Sequence, residues 1–256
     1  MDKLLFRCSA VGALLTEPKL KADKDAGKLS ATAKTLVESM WLEKTYGYRE
    51  FINNEYMDKG LSMEQDSMEL VQSVLGGQFR VKNREKFSND FVIGTPDIIL
   101  SDCIEDIKTS WSLRTFFEAE PTTLYKIQAQ CYMDLKGIDN YRLIYALVPN
   151  TKEMIINECE RLVYKFGRNY DNEDYIAQCQ QIQFNNDLIL NIPKEQRVKI
   201  FEFKRDKELL EQLYTKVEKA RKYYATLSLV PNMPSMFIAS NDPEVNAIIV
   251  EEIKTN

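Results

Sequence analysis

Histidine is absent from the 256-residue sequence. Without histidine the chain has no Ser-His-Asp triad, no imidazole general base and none of the zinc sites that depend on imidazole ligands. Acid–base chemistry is left to Asp, Glu, Lys, Tyr, Cys or a metal-bound water. The absence of histidine therefore makes a site built from carboxylates a stronger candidate for any catalysis by this chain.

Long apolar runs are also missing. No stretch of about 18 apolar residues occurs, so the sequence predicts no transmembrane helix. The first residues, Met1 to Arg7, lack the apolar core of a signal peptide. We therefore expect a protein of the cell interior with no membrane partner.

Cysteine is sparse and scattered. No two of the five cysteines lie within a few residues of each other, so the sequence has no Cys-x-x-Cys metal knuckle. An odd number of cysteines in an intracellular chain predicts free thiols. The cysteines are Cys8, Cys103, Cys131, Cys159 and Cys179.

The balance of charge is mildly acidic. A net charge of −5 gives no general attraction to nucleic acid, although local basic patches decide such binding more than the sum does. Hydrophobic residues make up 44% of the chain, which is ordinary for a globular protein and supplies a sizeable core.

Hydrophobic periodicity gives the order of the elements. Helical spacing predicts helices at about 31–46, 62–75, 122–135, 152–166, 174–183 and 206–227. Extended segments are predicted at 78–81, in a hairpin within 94–108, at 141–148 and at 197–203. The aromatic segment 111–120 is predicted to be a loop. This order favours an α/β core with a mixed sheet.

The predicted hairpin at 94–108 carries the strongest chemical pattern. Alternation along its second strand puts Asp106 and Lys108 on one face and Glu105 on the other, so we interpret Glu105 as structural. Asp97 comes from the preceding strand and is placed to meet Asp106 across the hairpin. Two carboxylates and a lysine are suited to a hard divalent cation and an attacking water.

Glu64 shares the stripe of an otherwise apolar helix with Met68 and Val71. A carboxylate in such a place is costly to bury unless it is paired or binds a metal. The alternative is that Glu64 lies at the edge of the stripe and reaches water.

Four basic residues alternate along the segment that follows this helix. If the segment is extended, they share one face, which is either a solvated sheet edge or a groove wall that meets phosphates. The four residues are Arg80, Lys82, Arg84 and Lys86.

Pro96-Asp97, followed nine positions later by Asp106-Ile107-Lys108, resembles the signature of the PD-(D/E)XK nucleases. A downstream helix carries Gln128 and, four positions later, Tyr132. This Gln-x-x-x-Tyr spacing resembles that of the RecB-like branch, which includes phage exonucleases of the lambda and YqaJ type. Glu64 matches the helical glutamate of that branch. The resemblance covers about residues 59–148.

The resemblance implies an α/β fold with a restriction-endonuclease-like core, in which a mixed central β-sheet is flanked by helices and extended by further N- and C-terminal helices. We expect a single nuclease domain over residues 1–256. Its core is at about 59–148, its N-terminal helical region at 1–58 and its C-terminal helical extension at 149–256.

The resemblance also implies Mg²⁺ or Mn²⁺ as cofactor, with Lys108 orienting or activating the water and Gln128 close to the catalytic site. The expected metal ligands are Asp97, Asp106, Glu64 and the carbonyl of Ile107. An iron–sulfur cluster, which some RecB-like nucleases carry, is not expected, because Cys159 and Cys179 stand far apart and no third cysteine follows.

Nucleic-acid contacts are predicted from basic and aromatic side chains near this site. Trp111 has core packing as an equal alternative, and Arg7 and Ser9 are further candidates for holding a terminal phosphate. The predicted contact residues are Arg80, Lys82, Arg84, Lys86, Trp111, Arg114 and Tyr132.

The expected activity is that of a metal-dependent deoxyribonuclease, an exonuclease that acts on double-stranded DNA ends in recombination or repair and leaves 5′-phosphate and 3′-hydroxyl products. A cytoplasmic setting in a bacterium or a phage-infected host suits it. DNA is the expected partner, with a single-strand annealing protein and a homo-oligomer as further candidates. The alternatives are an endonuclease with the same site and a catalytically silent module that binds DNA or protein.

Overall fold

The structure is a computed structural model that describes residues 3–50 and 55–229, with the side chains of 55–58 outside the description. Residues 230–256 of the predicted C-terminal extension also lie outside the described residues. All five cysteines are free thiols. Within the described ranges, no helix is both long enough and apolar enough to cross a membrane.

Helices and short strands follow one another through the chain. The strands are β1 (Phe6–Arg7), β2 (Phe87–Ser88), β3 (Val92–Gly94), β4 (Ile98–Ile99), β5 (Ile104–Thr109), β6 (Asn140–Ala146) and β7 (Val198–Lys204). The helices are α1 (Lys21–Asp25), α2 (Ala31–Tyr46), α3 (Glu55–Ser62), α4 (Glu64–Leu75), α5 (Leu113–Phe117), α6 (Thr123–Lys136), α7 (Lys152–Val163), α8 (Glu173–Leu188) and α9 (Lys207–Tyr224).

The strands form two mixed sheets. The larger has the order β4-β5-β6-β7, in which β5 and β6 are parallel and the outer pairs are antiparallel. The smaller has the order β1-β3-β2. The structure thus confirms the predicted α/β class, with mixed sheets flanked by helices.

Side-chain alternation along β6 divides the core into two layers. Tyr141 and Leu143 point into the larger cluster, which contains residues of α2, α6 and α9. Ile144 and Ala146 point the other way, into a smaller cluster with α4. Both faces of the sheet are therefore covered, which explains why β6 is hydrophobic on both faces from Leu143 to Ala146.

Local sequence signals set the helix ends. The side chains of Ser30, Thr122 and Asp206 accept hydrogen bonds from the first turns of α2, α6 and α9. Gly47 and Gly137 follow α2 and α6 in the left-handed conformation that glycine adopts without strain. These ends agree with the sequence predictions to within a residue or two.

Two predicted elements are wrong. Residues 78–86 form neither helix nor strand, because the side chain of Arg80 turns inward and is held by the Gln72 side chain and the Gly76 carbonyl. The segment 111–120 is not all loop. It contains α5, which a reciprocal capping box between Ser112 and Thr115 initiates.

Arg80 and Glu105 form a buried ion pair. Arg80 Nε lies 2.7 Å from Glu105 Oε2 and Nη2 lies 3.0 Å from Oε1, while the Glu105 side chain is fully buried. Arg142 Nη1 adds a weaker contact at 3.4 Å. The bidentate geometry offsets the cost of removing both charges from water. Glu105 therefore has the structural role that the sequence predicts.

Lys59 is a second buried charge and belongs to α3. It is 1% exposed, and its Nζ donates to the carbonyl oxygens of Trp111 at 2.9 Å and Val148 at 3.0 Å. These carbonyls lie just beyond the ends of the parallel strands β5 and β6. Burial lowers the pKa of Lys59 to about 8, with Glu158 of α7 acting in the opposite direction. A neutral amine still has two N–H groups for the two carbonyls.

We expect Arg80→Met to lower the free energy of unfolding by about 3 kcal/mol, because it leaves the buried Glu105 carboxylate without its main partner. Urea unfolding measures the loss. Arg84→Met is the matched control, since Arg84 is exposed, and should change stability by less than about 0.5 kcal/mol. Equal unfolding midpoints for the two variants would contradict the expectation.

Lys59 also predicts a pH dependence of stability. Below pH 8 the lysine is protonated in both states, so pH has no effect through it. Between pH 8 and about 10.5 the unfolded chain binds more protons, so stability rises with pH by about 3 kcal/mol in total. Unfolding of the wild type minus that of Lys59→Met, measured across pH 7–11, isolates this contribution. A flat difference curve would refute it.

Candidate active site

A cleft of about 690 Å³ opens beside the end of β5. One wall comes from α3 and α4 and includes Gly60 and Glu64. The facing wall comes from the end of β5 and the segment after it, and it includes Thr109 and Trp111. Asp97 and Lys108 also line the cleft, so three of the predicted catalytic residues, Glu64, Asp97 and Lys108, meet at one concave surface.

The hairpin of β4 and β5 sets the position of the two aspartates. Ile98 pairs with Glu105 and Ile99 with Ile104 in the antiparallel register, which continues to place Asp97 opposite Asp106. The turn is closed by a hydrogen bond of 2.8 Å from Leu100 N–H to the Cys103 carbonyl. The predicted meeting of the two carboxylates across the hairpin is present.

Asp106 is the buried member of the pair and is 1% exposed. The Tyr141 hydroxyl donates to Oδ2 at 3.0 Å, and Lys108 Nζ lies 2.8 Å from Oδ1. Burial alone would raise the pKa of Asp106, but the Lys108 ammonium and the hydrogen bonds from Asp97, Lys108 and Tyr141 hold it below its usual value. Asp106 is therefore ionised at neutral pH.

Asp97 has the opposite behaviour. Burial raises its pKa to about 7, and the hydrogen bond and the negative charge of Asp106 add to the effect. Lys108 and Lys82 only partly offset this. Two neighbouring carboxylates with different proton affinities are the usual result of forcing like charges together.

Glu64 reaches the same cleft through Lys82. Lys82 Nζ contacts Glu64 Oε1 and lies 3.1 Å from Asp97 Oδ1. Burial would lower the pKa of Lys82, but its bonds to Glu64 and Asp97 raise it overall. Of the two interpretations left open for Glu64, the structure favours the paired carboxylate, although its side chain is also 40% exposed.

Lys108 is held as an ammonium group at the cleft wall. Its Nζ lies 5.0 Å from the centre of the Tyr125 ring, in a cation–π contact. Burial lowers its pKa, but Asp106 and Asp97 raise it above the usual range of lysine. A lysine in this state supplies positive charge and N–H donors rather than acting as a general base.

Gln128 and Tyr132 lie behind the aspartates and do not line the cleft. Gln128 Nε2 donates to the Tyr132 hydroxyl at 3.1 Å, and both side chains are buried. Tyr132 packs so closely against Gly94 that a Cβ there would lie 2.6 Å from the ring and 2.8 Å from Cys8 Sγ. The glycine before Thr95-Pro96-Asp97 thus permits this approach.

The predicted nucleic-acid residues do not form one surface. Arg80 is buried against Glu105, so the predicted basic face is corrected and Arg80 cannot meet a phosphate without breaking that pair. Lys82 and Trp111 line the cleft. Tyr132, also a predicted contact residue, is buried and does not line the cleft. The remaining candidates have exposed side chains, and they are Arg84, Lys86, Arg114, Arg7 and Ser9.

The side chains around Asp97 and Asp106 offer part of a ligand set for a divalent cation. Within the described ranges, no three Asp, Glu, Cys or His side chains form a ready metal-ligand group. Asp97 and Asp106 nevertheless oppose each other, and the buried Asp106 Oδ1 accepts no hydrogen bond of good geometry. Two opposed carboxylates, with Asp106 Oδ1 held by the ion-pair contact to Lys108 at 2.8 Å, fit a hard cation.

Sequence reasoning missed two residues that touch the site. Tyr141, which bonds Asp106, begins the strand that lies parallel to β5. Tyr125, which faces Lys108, begins the helix that carries Gln128. A tyrosine near the start of a largely apolar strand is a signal that could have indicated Tyr141. The register of β5 and β6 is needed to interpret it.

The described fold is similar to solved exonuclease structures. A phage-related exonuclease from Haemophilus somnus 129PT matches with a TM-score of 0.68 and 31% identity, over 87% of this chain and 94% of that one. An alkaline exonuclease (LHK-Exo) from Laribacter hongkongensis matches with a TM-score of 0.56 and 12% identity, over 98% and 95%. LHK-Exo in complex with dAMP gives 0.55 and 13%, with the same coverage. No family model and no curated protein matches the chain.

We expect Tyr141→Phe to weaken Mn²⁺ binding by about 10- to 100-fold, because the lost hydroxyl fixes and stabilises the Asp106 carboxylate. Isothermal titration calorimetry measures the dissociation constant. Tyr214→Phe is the matched control, since it removes another tyrosine–aspartate hydrogen bond, to Asp134, away from the cleft. Equal dissociation constants for the two variants would exclude the role of Tyr141.

Proposed function

Because the chain belongs to the phage-type exonuclease family of PD-(D/E)XK nucleases, we propose that it is a metal-dependent deoxyribonuclease that degrades double-stranded DNA from its ends. The match at 31% identity extends over nearly all of the Haemophilus somnus exonuclease. The setting that best suits this activity is recombination or repair in a phage or its host.

The observation that carries the proposal is that Asp97 and Asp106 face each other across the hairpin, with Lys108 on the same strand as Asp106. This arrangement lies at the wall of a cleft wide enough for a nucleotide. A structural ion pair alone would need only one carboxylate for Lys108. The second carboxylate, Asp97, has a pKa raised to about 7, so keeping it ionised here destabilises the folded state. A cation-binding site would explain why it is present.

Each residue has a distinct part in phosphodiester hydrolysis. Asp97 and Asp106 would hold Mg²⁺ or Mn²⁺, with Glu64 and the Ile107 carbonyl completing the set. The ion, when bound, supplies Lewis-acid stabilisation of the phosphate and lowers the pKa of a water. Lys108 orients the attacking water and offsets negative charge as it develops.

The other polar groups support these residues. Tyr141 holds Asp106, and Gln128 fixes Tyr132 against Gly94 at the base of the hairpin. Lys82, which shares Glu64 and Asp97, has the charge and the reach to meet a phosphate oxygen of the bound strand. Trp111 offers a ring at the cleft wall on which a base can stack.

The nucleotide complex of LHK-Exo supports a mononucleotide product. We propose that this chain releases deoxynucleoside 5′-monophosphates, and that the cleft beside Lys108 and Trp111 accommodates them. This assignment names the product and leaves the direction of digestion to experiment.

Asp106→Asn and Lys108→Met should each lower the rate on linear duplex DNA by about 100-fold or more, because each removes charge aligned with the reacting phosphate. Release of acid-soluble nucleotides with Mg²⁺ or Mn²⁺ measures the rate. Asp102→Asn is the matched control, since Asp102 is an exposed acid in the turn of the same hairpin, and it should retain wild-type activity.

The form of the DNA separates the proposal from its rival. Linear duplex should be degraded and covalently closed circular DNA left intact. Cleavage of both forms at similar rates would replace the exonuclease by an endonuclease with the same site. Equal digestion by the wild type and Asp106→Asn would remove the assignment altogether.

A further inference from the structure

The two walls of the cleft are joined by a buried lysine that the proposed chemistry does not use. Lys59 leaves α3, on the wall that contains Glu64, and its ammonium donates to the Trp111 carbonyl on the facing wall at 2.9 Å. A second bond, of 3.0 Å, runs to the Val148 carbonyl beyond β6. The Trp111 ring lies 5.8 Å from the same ammonium.

The connection from Lys59 to Glu64 is short and rigid. The backbone N–H of Met63 donates to the Lys59 carbonyl at 2.9 Å, and the Ser67 N–H donates to the Met63 carbonyl at 3.0 Å. Helical hydrogen bonding therefore continues from α3 into α4, across the bend at Met63. A displacement of Lys59 is passed directly to the first turn of α4, where Glu64 is located.

A further bond joins the same two walls farther along the cleft. The Ser67 hydroxyl lies 2.8 Å from the Thr109 hydroxyl. Thr109 ends β5, the strand of Asp106 and Lys108. Two cross-links about two helical turns apart, one through Lys59 and one through Ser67, fix both the separation and the tilt of the glutamate helix relative to the catalytic strand.

A full charge is an expensive way to satisfy two backbone carbonyls. Lys59 is 1% exposed, and burial of an ammonium group costs several kcal/mol that an apolar residue would not incur. The carbonyls of Trp111 and Val148 follow the ends of β5 and β6, where main-chain pairing stops. The long side chain of Lys59 supplies hydrogen bonds to both carbonyls beyond the ends of these two strands, next to the candidate site.

We propose that Lys59 is a positioning residue of the nuclease, which holds the helix of Glu64 at the correct distance from the strand of Asp106 and Lys108. This inference rests on the proposed function. Lys59 acts through the Trp111 and Val148 carbonyls and does not itself line the cleft. Its removal should widen the cleft, and a displacement of about 1 Å at a reacting group is enough to cost up to 100-fold in rate.

The first readout needs neither metal nor DNA. The chain has two tryptophans, Trp41 and Trp111, so a Trp41→Phe background leaves Trp111 as its sole tryptophan. In this background, Lys59→Met should shift Trp111 emission to longer wavelength and increase its quenching by acrylamide. Lys59→Arg, which keeps a charged donor, should restore part of the change. Circular dichroism melting confirms that each variant is folded.

The second readout is specific to positioning. With Lys59→Met, we expect the Kd for Mn²⁺ to rise about tenfold and kcat on linear duplex DNA to fall 10- to 100-fold, while KM for DNA changes less than threefold. Lys199→Met is the matched control. Lys199 also donates to two carbonyls of the segment after β5, those of Phe117 at 3.0 Å and Ala119 at 3.2 Å, but it belongs to β7 and not to the helices α3 and α4 that position Glu64.

The outcomes separate the two proposals. A shifted emission with wild-type Kd and kcat would overturn the inference, because Lys59 would then stabilise the Trp111 segment alone. Equal losses in Lys199→Met would overturn it for the same reason. A wild-type chain that binds Mn²⁺ but leaves DNA intact would overturn the proposed nuclease, and the Mn²⁺ titration of Lys59→Met would still decide the inference. A chain that binds no Mn²⁺ overturns both.

Discussion

The opposition of Asp97 and Asp106 is the constraint on which the site depends. Burial, together with the hydrogen bond and the negative charge of Asp106, raises the pKa of Asp97 to about 7, and positive charge close by opposes this rise. The surrounding chain supplies that charge from both sides, with Lys108 against Asp106 and Lys82 against Asp97. Tyr141 adds a donor from below. The site is therefore a balance of charges that a divalent cation would complete.

The sheet provides a frame that tolerates this balance. Alternation along β5 sends Asp106 toward the α6 side and Glu105 toward the α4 side, so neighbouring acids enter different environments. Glu105 is neutralised permanently by Arg80, whereas Asp106 is neutralised by groups that face the cleft. One strand thus carries a buried ion pair on one face and, on the other, the ion pair of the proposed catalytic site.

Local patterns in the sequence were sufficient for the helix ends, the hairpin and its three charged residues, because caps and alternation act over a few positions. They were insufficient for Arg80, whose long side chain reaches a buried partner 25 residues away. Tyr141 was missed for a similar reason, since its place beside Asp106 depends on the register of two strands joined by a long crossover. The prediction of one basic face failed because it assumed that residues 78–86 were extended.

The parallel pairing of β5 and β6 has a consequence for how the molecule folds. The β4–β5 hairpin closes over a short turn, so we expect it to form by local contact and to bring its two aspartates together early. Pairing of β6 with β5 requires the crossover through α5 and α6. We expect it to be slower, because the loss of loop-closure entropy precedes the contacts that stabilise a parallel pair of this span. Two contacts would form only in that later step: the hydrogen bond from Tyr141 to Asp106 and the hydrogen bond from Lys59 to the Val148 carbonyl. We therefore expect the two carboxylates to meet before their supporting contacts form, so that the candidate site is complete only in the finished fold.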